Sequence, residues 1–151
     1  MLKKVLAAAA LGVAALMVTE AAASAAPAQP PVQTAMRRHI SGSSLDGGAK
    51  FSGTLTWTSH GSFTANIKLK DAKCDSNAPY FYFLINAGWT SELKGNHREN
   101  HEGCDKSIIW QGIEGSNIYG IRSLRLMVCN DRGFFKKDYC RPYEYENSHF
   151  H

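Results

Sequence analysis

Two stretches of strict alternation constrain this chain more than any other feature. Phe51, Gly53, Leu55 and Trp57 alternate with Ser52, Thr54, Thr56 and Thr58, and Phe63, Ala65, Ile67 and Leu69 alternate with Thr64, Asn66, Lys68 and Lys70. On an extended strand successive side chains point to opposite faces, so a period of two gives each segment one apolar and one polar face. No helical spacing fits these residues equally well. Between the runs lies Ser59-His60-Gly61-Ser62, a short turn with a glycine. Together the two segments specify a β-hairpin with one dry and one wet face. An isolated hairpin is marginal in water, so the dry face calls for a second layer.

Candidates for that layer follow downstream. Pro79 to Ala87 is apolar on both faces, with Tyr80, Tyr82 and Leu84 on one and Phe81, Phe83 and Ile85 on the other. Such a strand is expected at the centre of a sheet or under a binding surface. Lys106 to Ile113 forms a further strand around Ile108, Ile109 and Trp110, broken by Gly112, Gly115 and Asn117; Ile118 to Ile121 reads as a short extra one. From Arg122 to Asn130, Leu124, Leu126 and Val128 face inward while Ser123, Arg125 and Met127 face outward. Tyr139 to Tyr145 is expected at an edge, because Pro142 has no N–H for a ladder. The expected fold class is all-β: a small antiparallel β-sandwich, or a partly open barrel, of about six to seven strands with two disulfides.

The 151 residues divide into three parts. Lys3 and Lys4, the apolar run from Val5 to Val18 and the small residues Ala23-Ser24-Ala25 have the layout of a secretory signal peptide over residues 1–25. The apolar run is short for a membrane span, and no transmembrane segment is expected after cleavage. Residues 26–49, with prolines at the start and Ser and Gly near the end, read as a linker. Arg37-Arg38 within it is either a processing site or solvated surface. Residues 50–151 form the β domain.

All four cysteines lie in the exported part: Cys74, Cys104, Cys129 and Cys140. An even number outside the cytosol reads as two disulfides. Cys74–Cys104 with Cys129–Cys140 is the favoured pairing, since each closes a local loop. A zinc site built from Cys104, His97 and His101 is the competing reading, but oxidising surroundings favour the disulfide, and no metal or cofactor is expected.

The order Cys74-Asp75, Cys104-Asp105 and Cys129-Asn130-Asp131 leading to Cys140 resembles that of small secreted four-cysteine β-domain proteins of actinomycetes. The signal peptide resembles those of high-GC Gram-positive bacteria. The resemblance covers residues 50–146 and implies the same disulfide pairing and an all-β fold; it carries no activity to this chain.

Charge is unevenly placed. The whole chain carries +4, and loss of residues 1–25 leaves +3. From Arg122 to Arg141 there are six positive side chains against two negative, so the rest of the mature chain is close to neutral. That is too little for a dedicated nucleic-acid binder, and no specific nucleic acid is expected as a partner. Within the basic stretch, the Cys129–Cys140 loop holds Arg132, Phe134, Phe135, Lys136 and Lys137. Adjacent phenylalanines followed by two lysines cannot both alternate inward, so one aromatic is expected to face solvent or a partner; the competing reading has a phenylalanine capping the core. A loop closed by a disulfide loses little freedom on binding, and aromatic anchors beside charge are typical of contact hot spots.

The leading expectation is therefore a secreted, extracellular, non-enzymatic binding module that recognises an extracellular protein or an anionic surface through this loop. The alternative is a carbohydrate or cell-wall binding module using Tyr80, Tyr82 and Trp89, with Trp110 nearby, by analogy with sandwiches that hold sugar rings on flat aromatics. The third reading is a small secreted hydrolase. His97, His101 and Glu102, with Glu99, crowd one polar segment between Gly95 and Gly103, and a His–Glu pair can act as general acid and base. That segment reads as an exposed loop, and no serine-elbow, metalloprotease or phosphate-loop motif accompanies it.

Overall fold

The hairpin forms as its alternation requires. In the computed structural model, which describes residues 34–87 and 93–150, strands β2 (Ala49–Ser59) and β3 (Ser62–Asp71) pair antiparallel about His60-Gly61. Phe51, Leu55, Trp57, Phe63, Ala65, Ile67 and Leu69 are all buried, and Ser52, Asn66 and Lys68 are exposed. The first sheet is completed by β1 (Met36–Ser43) beside β2 and β7 (Ser107–Ser116) beside β3. The second sheet is centred on β4 (Pro79–Asn86) and β8 (Ser123–Asn130), with β9 (Tyr139–Glu146) outside β8. On its other side β4 pairs with two-residue strands, β5 (Leu93–Lys94) and β6 (Arg98–Glu99). Every pairing is antiparallel, and neither sheet closes on itself, so the described residues form two open sheets rather than a barrel.

The sheets share one core. Phe81, Phe83, Leu124, Leu126, Val128 and Tyr145 from the second meet the buried row of the first. Three edge-to-face aromatic pairs cross the gap: Phe51 with Tyr143 at 5.0 Å, Phe63 with Phe83 at 5.5 Å and Trp110 with Phe81 at 5.3 Å. Such pairs add roughly 0.5–1.5 kcal/mol each beyond the area they bury. Buried asparagines tie the ends of the layers. The Asn147 side-chain nitrogen lies 2.9–3.1 Å from the carbonyls of Ser59, His60 and Ile121, and that of Asn100 lies 3.1 Å from those of Leu69 and Lys106. These amides add side-chain hydrogen bonds to carbonyls near the strand ends, beside the backbone bonds that the His60 and Lys106 carbonyls accept from Ile121 N–H and Asp71 N–H.

The expected linker needs correction. Residues 36–43 pair with β2 over their whole length. Only Ile40 of this strand is buried, which is why it lacks an apolar rhythm. It is fixed through its backbone: Ser43 N–H donates to Tyr143 Oη at 2.7 Å, and that hydroxyl donates back to Ser43 O at 2.8 Å. A side chain at Gly42 would start 2.3 Å from the same tyrosine ring, so glycine is required there. Arg37 and Arg38 therefore sit within a paired strand, with Arg38 stacked 5.5 Å over Tyr145.

Two other boundaries differ. β7 runs through Gly112 and Gly115 to Ser116, because a bulge opposite Asn66 absorbs the irregularity: Gly112 adopts φ +62° and its N–H donates to Asn66 Oδ1. Ile118 to Ile121 is a turn, in which Asn117 Oδ1 accepts from Tyr119 N–H and Gly120 has φ +88°. The expected signal peptide lies outside the described residues. Among the described residues, no helix is long and apolar enough to cross a membrane.

Candidate functional site

Both expected disulfides form. Cys74–Cys104 joins the β3–β4 connection to the segment before β7, and Cys129–Cys140 links β8 to β9. Cys129 and Cys140 stand directly opposite each other, one pair before the ladder ends at Asn130 and Tyr139. The covalent link therefore sits at the root of the loop, where the strands stop holding one another.

Beyond it, the loop is fixed by its own aspartates. Asp138 accepts the Arg132 N–H at 3.0 Å with one carboxylate oxygen and the Tyr80 hydroxyl with the other. Asp131 accepts the Gly133 N–H at 2.7 Å, and its own N–H donates to Ala78 O at 3.1 Å. Gly133 turns the chain at φ +74°, a conformation that disfavours any side chain, and its carbonyl accepts from Lys136 N–H at 3.3 Å. The Arg132 guanidinium lies 4.3 Å over the Tyr139 ring. Burial of Tyr80, reinforced by its bond to the Asp138 carboxylate, raises its hydroxyl well above the ordinary tyrosine range, so it stays a donor.

At the apex, Phe134 is 98% exposed and Phe135 96%. Their rings contact each other edge-on, with centroids 5.6 Å apart. Neither caps the core. Lys136 and Lys137 follow, both exposed, and Arg141 is exposed on β9. An apolar, basic apex thus stands on a base held by one disulfide and four aspartate hydrogen bonds.

The Tyr80–Tyr82 face is less open. It forms the outer side of β4, where the two rings stack with centroids 6.3 Å apart. His97 stands edge-on at 4.2 Å from Tyr80, and Lys94 Nζ sits 4.4 Å over Tyr82, so side chains of the same domain already occupy these rings. Trp110 does not join them; it packs on Phe81, on the core side of the sheet. Trp89 lies outside the described residues.

The polar segment does not assemble as one constellation. His97 contacts Tyr80, whereas His101 Nε2 lies 3.4 Å from Glu99 Oε2. His101 lines a cleft of about 390 Å³ beside the Cys74–Cys104 bridge, together with Asp71, Lys73 and Asn77. Glu102 is exposed, and its N–H donates to Asn100 Oδ1. Cys104 is in a disulfide and offers no thiolate to a metal.

One arrangement at this end of the sandwich left no mark in the sequence. Buried Asn130 donates to Asp46 Oδ2 at 3.0 Å across 84 residues, and Lys73 reaches the same oxygen at 3.1 Å. Burial disfavours the Asp46 carboxylate, but hydrogen bonds from Ser44, Asn130, the Gly48 N–H and Lys73 outweigh it and hold its carboxyl well below the usual carboxylate range. Tyr80 likewise serves the loop as an anchor for Asp138, a role its place in a strand does not announce.

These features define a class: a two-sheet antiparallel β domain with two disulfides and a rigidly based, aromatic-tipped hairpin loop. No family model, curated protein or solved structure matches the chain.

Proposed function

We propose that this chain is a secreted, non-enzymatic binding module that recognises an extracellular protein or an anionic surface through the Cys129–Cys140 loop. The observation that carries the reading is the near-complete exposure of Phe134 and Phe135 on a loop whose base is already immobilised. Exposed apolar rings cost solubility unless something uses them, and a fixed base lowers the ordering cost of using them. Two disulfides fit an oxidising compartment, in keeping with residues 1–25 acting as an export signal. The sugar-binding alternative is less supported, because Lys94 and His97 already cover Tyr82 and Tyr80.

The test is retention of the chain on a panel of anionic vesicles, insoluble glycans and extracellular protein preparations, with and without Phe134→Ser/Phe135→Ser. Loss of retention in the double variant, with unchanged thermal stability, is the expected result. Retention that survives the double variant and is lost in Tyr82→Ala would overturn the reading.

A further inference from the structure

We infer that the ligand of this loop is an anionic phospholipid bilayer, which Phe134 and Phe135 enter while Arg132, Lys136, Lys137 and Arg141 meet the lipid phosphates. The inference rests on the loop being the recognition site and names what it recognises.

Shape argues for a bilayer. The two rings touch each other and are otherwise almost fully bare, at the convex end of a hairpin. A folded partner would need a preformed cleft matched to this crossed pair. A bilayer interface needs none, since it deforms around any apolar wedge and takes aromatic rings at headgroup depth.

Charge argues for an anionic one. Lys136 and Lys137 directly follow the rings in sequence, and Arg132 and Arg141 flank the loop root. The two acidic residues beside them, Asp131 and Asp138, are turned to the loop base, where they accept the Gly133 N–H, the Arg132 N–H and the hydroxyl of Tyr80 on β4, and the four basic side chains exceed their charge by two. A single apolar insertion binds a membrane weakly, and stable docking needs a second signal such as a basic patch. Here both signals occupy one loop, and Tyr139, 38% exposed below the apex, adds a ring suited to the interface.

The test is partition of the full chain onto phosphatidylcholine vesicles with and without phosphatidylglycerol, read by co-sedimentation. Partition is expected only with the anionic lipid and should weaken as salt rises. Each lysine near an anionic surface is worth roughly five-fold in partition, so Lys136→Gln/Lys137→Gln should weaken it roughly 25-fold. Phe134→Ser/Phe135→Ser should abolish it. In Phe134→Trp, emission should shift to the blue on vesicles and be quenched by acyl-chain bromines.

Unchanged binding of the serine double variant would reduce the contact to electrostatics and overturn the inference. So would unshifted emission of Phe134→Trp on vesicles that bind the chain. If the chain ignores vesicles but is retained elsewhere on the panel in a loop-dependent way, the bilayer is wrong and the loop reading stands. If neither vesicles nor any panel member depends on the loop, both fall.

Discussion

Removing the Cys129–Cys140 bridge by Cys129→Ala/Cys140→Ala should destabilise the fold without dismantling the hairpin. The two residues oppose each other in a ladder that continues through seven further residues on each strand, from Val128 and Arg141 to Ser123 and Glu146, and beyond the bridge to Asn130 and Tyr139. The folded hairpin therefore has its own hydrogen bonds, and the bridge acts mainly on the unfolded chain. For a sequence separation of 11, the chain-entropy relation gives about 2.8 kcal/mol. Cys129 is fully buried, and the small cavity left by alanine adds about 0.7 kcal/mol. At about 4 °C per kcal/mol for a domain of this size, Tm should fall by roughly 14 °C. Circular dichroism melts of the variant and the parent, with urea titrations beside them, read this directly. The urea m-value should rise, because the unbridged denatured chain is more expanded. A fall of less than about 4 °C would mean that the bridge does not restrict the unfolded state. Loss of the β8–β9 amide signals in the variant would mean that the ladder cannot stand without the bond.

Other sites give sharper local tests. Asn147→Ala removes the side-chain donor shared by the carbonyls of Ser59, His60 and Ile121, of which His60 keeps the Ile121 N–H, and should cost about 1–3 kcal/mol in urea denaturation with an unchanged m-value. Gly42→Ala drives a methyl group into the Tyr143 ring and should cost about 1–3 kcal/mol, where a linker position would cost nothing. Asp46, with its carboxyl held low in the folded chain, contributes stability that is present above its ordinary pKa of about 3.9 and is lost as pH falls below it. Asp46→Asn should therefore be less stable at neutral pH and show a shallower loss of stability between about pH 5 and pH 2 than the parent.

Much of the fold was legible because burial leaves a rhythm. β3 buries every second residue and β2 nearly so, and their alternation names the buried set; β8 buries Leu124, Leu126 and Val128 as its rhythm requires but also Ser123, expected to face outward, and Cys129 of the disulfide. β4 reads as central because both its faces are apolar, and it does lie between β8 and the short β5 and β6. β1 was illegible for the same reason in reverse: Met36 to His39 are exposed, and its attachment runs through backbone groups and the Tyr143 hydroxyl. β5 and β6 are too short to carry a pattern. At the site, Cys spacing and composition pointed to the loop, and the pairing of two phenylalanines with two lysines implied exposure of one ring. That both are exposed depends on how Asp131 and Asp138 fold the loop root, which no local pattern encodes. The Asp46–Asn130–Lys73 contacts join residues far apart in the chain and have no sequence signature.

If recognition occurs at the apex of the Cys129–Cys140 loop, amide signals of the isotope-labelled chain, followed while a panel member that retains it is added, report the contact residue by residue. Arg132 to Lys137 should broaden or shift first, with Tyr80, Tyr82 and Met127 on the outer sheet and His101 in the cleft largely unmoved. Perturbations centred on Tyr80 and Tyr82, or on the cleft beside Cys74–Cys104, with the loop silent, would contradict it.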